Sequence, residues 1–487
     1  MINLALSPPP NKPPAPFLRP DSENYTAHAV DAYWDVRAAL SPACIFLPAS
    51  TAEVATAMKI IGSCDAQFAI RGGGHMNVIG SNNIDAGVLL ALNNLNQITV
   101  HSATQTVEVG PGVTWYEVYR ALEPTGQVVI GGRLKSIGVA GLSLIGGFHY
   151  FNNRYGFAMD NVLGYEVVLG NGTVVTAGSG SGRSQEEWEK GQRDNLDLFW
   201  ALKGGGGNNF GVVTRFVLRT FAVPVVSTTV QTFEEGAVPA FLAAVCELAK
   251  VDDREAEEGI LAAGIVATVT YNTTTRSASA TLLGVQEGES RPPSRFGNFS
   301  LIAAETQDAV TTMARFVSGL ETPKQMFRIV FAHHTIKADT EALVAIYEAW
   351  RESLDAIADV QGLMPIFVPN IVSPSAVRVA RSNGVGNVWG LEEEALILWQ
   401  FSTSWTLARD SLRVETWSRR LAERLHAINR EKGLAREFVY MGDAGDWQDP
   451  FAGFPAENVA RMRAVQAEYD PGRIFSRLNW GGFKLSG

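Results

Sequence analysis

Four glycine-bearing segments hold the residues best suited to chemistry. The first is Arg71-Gly72-Gly73-Gly74-His75. Consecutive glycine amides can turn inward and cradle a pyrophosphate, with Arg71 supplying charge and forked hydrogen bonds. The plainer reading is a glycine turn carrying a surface histidine. The spacing G-x-G-x-x-G is absent, and no Lys-Ser/Thr follows as it would in a P-loop. The second segment runs from Gly131 to Gly147 (GGRLKSIGVAGLSLIGG), where the glycine density exposes amides to a long polar ligand. The third is Gly204–Gly211, and the fourth joins Tyr440–Asp443 with Asp470-Pro471. No spacing of His, Cys, Asp or Glu supplies a metal site. His333 and His334 are adjacent on an expected strand, so they face opposite sides and cannot chelate one ion together.

The elements around these segments alternate between strand and helix. Ala43–Pro48 reads as a buried strand, and Ser50 with Glu53 as a capping box opening a helix whose Val54, Met58 and Ile61 share a face. Gln67–Ile70 is the next strand and runs into the Arg71 loop, so strand, helix, strand and loop form a βαβ unit that delivers a loop to a ligand. Further strands are expected at 87–92, 98–100, 106–109, 166–169, 174–177 and 212–218, with helices at 113–122 and 197–203. Asn171-Gly172 reads as a hairpin turn and 178–194 as an exposed insertion. Of the chain's 47 glycines, 27 lie between Arg71 and Gly211. From Ala222 glycine thins. Strands at 227–233, 260–271, 326–333 and 395–403 then alternate with helices at 238–250, 304–320, 338–354, 410–432 and 457–468. Trp399, Phe401, Trp405 and Phe367 are candidates for an aromatic substrate cleft.

Composition bounds the rest. The chain has 487 residues, 46% of them hydrophobic and 18% charged, enough apolar material for two cores and too much for a disordered chain. A net charge of −10 with no basic run excludes nucleic acid and anionic membrane surfaces as natural partners. Three cysteines do not make a disulfide framework. No apolar run reaches the ~18 residues that span a bilayer. Seven of the first twenty residues are proline, and no basic segment precedes the short apolar run, so residues 1–25 read as an arm and not as a secretory signal. An intracellular, cytoplasmic protein is expected. No heptad or large apolar stripe demands a partner, which suits a monomer or weak dimer.

In order and spacing, the segments resemble the FAD-linked oxidases of the vanillyl alcohol oxidase (PCMH-type) superfamily, in particular the berberine-bridge-enzyme-like branch. The matching pieces are RGGGH at 71–75, GGR at 131–133 leading into GVAGLSLIGG, RYGFAMDNV at 154–162, NLDLFWALKGGGGNNFGVVT at 195–214 and YDPGRIF at 469–475. The resemblance implies an α+β fold: an FAD-binding domain at 26–221, a substrate domain of antiparallel sheet backed by helices at 222–435, and a segment at 436–487 returning to the first domain. It implies FAD held by Arg71, Gly72, Gly73, Gly74, Gly132, Gly138, Gly141, Leu142, Ser143, Gly146, Val213 and Tyr440. It also implies a covalent link from His75 to the flavin. Leu134 stands where many relatives carry a second, cysteinyl link, so only one link is possible here.

The implied activity is hydride transfer from a small hydrophobic secondary metabolite to the flavin, with O2 as acceptor. Ile137 occupies a position at which a bulky residue tends to obstruct oxygen in such enzymes, which keeps another acceptor open. Tyr440 is the first choice for the base, with Asp443 as its neighbour or itself the base, and His149 next. Ala140, Leu142 and Ile145 replace two glycines and a histidine of the family pattern, and the usual Tyr-x-Asn-Tyr reads Tyr440-Met441-Gly442-Asp443. These departures motivate an alternative, redox-neutral cyclisation or isomerisation on a bound flavin. A carbohydrate oxidase is the third reading.

Overall fold

A computed structural model describes residues 17–178, 194–252, 259–322, 327–382 and 384–485. The segment expected as an exposed insertion lies almost wholly outside the described residues. The βαβ unit is present. Strands Cys44–Phe46 and Phe68–Arg71 both run parallel to Val88–Ala91 between them, and helix Thr51–Ser63 makes the crossover. Its buried face is Val54, Ala57, Met58 and Ile61, the spacing that a helix presents to one side. Ser50 Oγ accepts from the Glu53 amide at 3.3 Å, but the Glu53 carboxylate takes the Ala49 amide at 2.7 Å, one residue further back than a capping box requires.

The proline-rich arm ends as an edge strand, Phe17–Leu18, antiparallel to Cys44–Phe46. The C-terminal end of the chain closes on the opposite edge. Asn479 bridges Phe68, and the Asp470 carboxylate accepts the Ile474 and Phe475 amides at 2.9 and 2.8 Å, turning the chain so that Phe475 packs edge-on to Phe68. A second, five-stranded antiparallel sheet has the order Ile98–His101, Thr106–Val109, Val212–Arg219, Val162–Val168, Val174–Gly178.

The third sheet has eight antiparallel strands in the order Glu305–Thr311, Val226–Glu234, Ser277–Glu287, Ala263–Asn272, Met364–Val372, Leu396–Trp405, Arg328–Lys337, Ala435–Arg436. Helices Val238–Lys250, Thr340–Ser353 and Ser411–Glu431 share a hydrophobic core with it. Two expectations fail here. Residues 304–320 are not one helix: Glu305–Thr311 pairs along its whole length with residues 226–232 of Val226–Glu234, and only Met313–Ser318 is helical. Its polar, largely exposed side chains suit an edge strand, and ladder pairing overrides local helical pattern. Phe367, Trp399, Phe401 and Trp405 are all fully buried, packed with Trp350 in the core of this sheet and its helices. They line no substrate cleft.

Candidate active site

The site begins with backbone. A Cβ on Gly73 would lie 2.6 Å from the Gly138 Cα, and the reverse holds for Gly138, so the first two glycine segments touch main chain to main chain. Side chains at either position would force the segments apart. A Cβ on Gly72 would lie 3.1 Å from the Pro111 carbonyl oxygen, and Gly74 has φ +72°, a conformation that favours glycine. The second segment is fixed to the start of helix Trp115–Leu122 by Trp115 N–H to Ile137 O at 3.0 Å and Val139 N–H to Val113 O at 2.9 Å. At Gly141 a Cβ would meet no protein atom within 4 Å, so the protein leaves this stretch of main chain open.

Arg71 is buried, and its guanidinium is engaged by the protein itself. The guanidinium reaches His28 Nδ1 at 2.8 Å, Asn93 Oδ1 at 2.9 Å, Tyr33 Oη at 3.3 Å and the His28 carbonyl. It pins the end of its strand to the N-terminal segment, and the cradle is left to amides. His75 follows. Its ring stacks on Trp34 with centroids 5.2 Å apart, and Nδ1 lies 3.5 Å from Ser136 Oγ. Burial lowers its pKa to about 4, so the imidazole is neutral and nucleophilic at neutral pH.

The remaining expected cofactor residues are committed to packing. The Gly132 carbonyl accepts from Tyr119 Oη at 3.0 Å, and a Cβ there would strike Trp115. Ser143 Oγ donates to the Val139 carbonyl at 2.8 Å. Leu142 is half-buried against the core, Val213 is buried within its strand, and Gly146, at φ +120°, presses on the Trp389 ring.

Burial raises both expected bases, from different starting values and to different effect. Tyr440 is buried edge-on to Phe148 and Trp389, with centroids at 5.0 and 5.6 Å. Burial, and then the Asp443 charge, push its phenol well above its ordinary value, so it holds its proton. Burial raises Asp443 to about 6, against the pull of Arg133 and of an Asn370 amide that donates to Oδ2 at 3.1 Å. At neutral pH the Asp443 carboxylate is thus ionised and able to accept a proton, while Tyr440 keeps its own. Arg133 closes the chain, donating to Asn370 Oδ1 at 3.0 Å and to the Ile265 carbonyl at 3.3 Å.

Asn370 was missed in the sequence because its strand, Met364–Val372, carries two prolines. Arg133 sat in a quoted motif but without a role, and Trp34 gave no signal. His149 is buried, with Nδ1 accepting the Phe151 amide at 3.0 Å. His333 and His334 do face opposite ways: His333 Nδ1 meets the Trp399 carbonyl at 3.2 Å, while His334 stacks on His426 at 3.9 Å. Among the described residues no cluster of three His, Cys, Asp or Glu could hold a metal ion, and no helix is long and apolar enough to cross a membrane.

Residues 42–178 match the model of the FAD binding domain family. The bifunctional solanapyrone synthase of Alternaria solani is 31% identical, over 96% of this chain and 85% of that protein. The chain belongs to the FAD-linked oxidoreductases. Within this family, the FAD-dependent monooxygenase prx3 of Penicillium roqueforti is 29% identical, over 97% of this chain and 91% of that protein. Among solved structures, the glucooligosaccharide oxidase of Acremonium strictum, whose FAD is 6-S-cysteinyl and 8α-N1-histidyl, shares the fold with a TM-score of 0.73 at 18% identity, covering 97% of this chain and 96% of that one.

The residues present fit the cofactor of this family. The main-chain contact of Gly73 with Gly138 and the open face of Gly141 make a side-chain-free rim suited to a dinucleotide's phosphates. The neutral imidazole of His75 stands at the end of the first glycine loop. Leu134 provides no thiol for a second attachment.

Proposed function

We propose that this protein is an oxidase of small hydrophobic secondary metabolites, with FAD attached through His75 and O2 as electron acceptor. When bound, FAD supplies the hydride acceptor and the route for electrons to oxygen. The protein's part is binding and proton transfer. Asp443 takes the substrate's O–H or N–H proton, while Asn370 fixes one carboxylate oxygen and leaves the other available. Tyr440 keeps its proton and donates a hydrogen bond to substrate oxygen. Phe148 and Trp389, the latter backed by Phe438, give Tyr440 apolar surroundings, which exclude water and favour hydrophobic substrates over sugars. The observation that carries the reading is the half-buried Asp443 carboxylate, held by Asn370 and tuned to about 6, close to the operating pH of a general base.

One observation favours a second reading. A phenol kept protonated beside a carboxylate is an acid–base pair that also suits a redox-neutral cyclisation or isomerisation.

Acid precipitation of the FAD-loaded protein tests the attachment. Yellow colour should stay in the pellet for the natural chain and pass into the supernatant for His75→Ala. Colour in the supernatant for both would end the covalent assignment. Anaerobic mixing with substrate then separates the two chemistries, since oxidation bleaches the flavin and a redox-neutral reaction leaves it yellow.

A further inference from the structure

A small cleft, with room of about 40 Å³, opens where the strand Ala263–Asn272 meets the turn through His149 and Tyr150. The two segments are in tight register, since a Cβ on Gly264 would lie 2.1 Å from the Tyr150 carbonyl oxygen. Leu248, Val251 and Ile371 give the cleft apolar walls, and Arg133, His149 and Tyr150 line it with polar groups. His149 Nε2 and Tyr150 Oη are buried and have no hydrogen-bond partner within the protein; the two residues are only 4% and 1% exposed. Burying a polar group unpaired costs about 1–3 kcal/mol. Two such groups side by side at one cleft call for a ligand that pairs them.

The hydrogen bonds fix what kind of ligand. The Phe151 amide donates to His149 Nδ1, so that nitrogen carries the lone pair. Burial and the Arg133 charge keep the ring neutral, lowering its pKa to about 3. The single ring proton therefore sits on Nε2, which is a donor facing no acceptor. Tyr150 carries a phenolic proton that burial keeps in place. Arg133 has further N–H groups beyond the two that hold it to Ile265 and Asn370. Its charge acts on His149 and Tyr150 on one side and on Tyr440 and Asp443 on the other.

We propose that Arg133, His149 and Tyr150 form a donor-only subsite that grips an oxyanion, a carboxylate or the enolate of a 1,3-dicarbonyl, on an otherwise apolar substrate. The inference rests on the reading of this site as one for small hydrophobic molecules, and names their class. Through Asn370 the same Arg133 is tied to Asp443, so the anchored end of the substrate is held in register with the proton acceptor.

The test is an equilibrium titration of the FAD-loaded protein at pH 8, followed by tryptophan fluorescence, with 3-phenylpropionate, 3-phenylpropionamide and dimedone. The carboxylate or the dimedone enolate should bind about tenfold or more tighter than the amide, and which of them does so identifies the oxyanion. Tyr150→Phe and His149→Phe should each weaken the anion about fivefold or more with unchanged flavin content, His149→Gln should recover part of the loss, and Arg133→Gln should abolish the preference for anion over amide. Equal affinity for amide and both anions, or anion binding unchanged in Tyr150→Phe and His149→Phe, would overturn the subsite. Failure to take up FAD would instead strike the functional reading, and the same fluorescence titration on the flavin-free protein would then decide the anion preference separately.

Discussion

The glycine cradle and the Arg133–Asn370–Asp443–Tyr440 cluster are built on opposite plans. In the cradle, main chain does the work, and side chains at Gly73 and Gly138 would exclude each other. In the cluster, main chain only delivers side chains from three places far apart in sequence, and burial sets their chemistry. A site made of backbone tolerates no added atoms but is indifferent to charge. A site made of buried side chains accepts changes of shape more readily and is sensitive to a single proton.

The largest effect expected from this contrast is at Gly73. Gly73→Ala drives a Cβ into the Gly138 main chain, which cannot move aside as a flexible side chain would, so bound flavin, read as the 450 to 280 nm absorbance ratio, should fall below about one tenth of its natural value. Gly141→Ala sharpens the point. The protein has room for that methyl, so loss of flavin there would mean that the cofactor itself occupies the space, and unchanged flavin would place it elsewhere.

Asp443→Asn is next. It should lower turnover by about 10²–10⁴ with flavin retained, and remove the rise in rate expected of the natural chain as pH climbs through about 6. Its stability effect has the opposite sign. The folded pKa lies above the unfolded one, so the folded state binds the proton more tightly, and the natural protein loses stability as pH rises between the unfolded value and about 6. Asp443→Asn escapes that penalty, and its Tm advantage, about 2 °C, should be present at pH 8 and largely gone at pH 4. An advantage equal at both pH values would contradict the buried charge.

The smallest effect concerns support of the cradle. Glu117 accepts the Thr114 amide at 2.7 Å while Thr114 Oγ1 accepts the Glu117 amide at 3.4 Å, capping the helix whose start holds the second glycine segment. Glu117→Ala should cost about 0.5–1 kcal/mol in chemical denaturation and leave flavin content unchanged.

Much of this was legible in the sequence, for local reasons. The βαβ unit, the Gly172 turn and the helices at 238–250 and 411–431 follow from apolar period and turn residues within a dozen positions. The strand Met364–Val372 did not follow, because Pro365 and Pro369 argue against an interior strand. The sheet accommodates them by limiting its pairing with Ala263–Asn272 to Val269 with Phe367 and Thr270 with Ile366. Asn370 was lost with that strand. Arg71 misled for a related reason: its motif placed its Cα correctly, but His28, Asn93 and Tyr33, which take its guanidinium, come from outside the motif.

By itself the sequence determined the family and with it the FAD, through the order and spacing of glycine segments that resemble those of FAD-linked oxidases; such segments are written contiguously, and at Gly73 and Gly138 any side chain would strike the other's main chain. Tertiary structure alone decided which groups hold protons. The pKa of Asp443, the tautomer of His149 and the charge partners of Arg133 depend on burial and on neighbours brought from hundreds of residues away, and desolvation is a property of the folded volume, not of any stretch of chain.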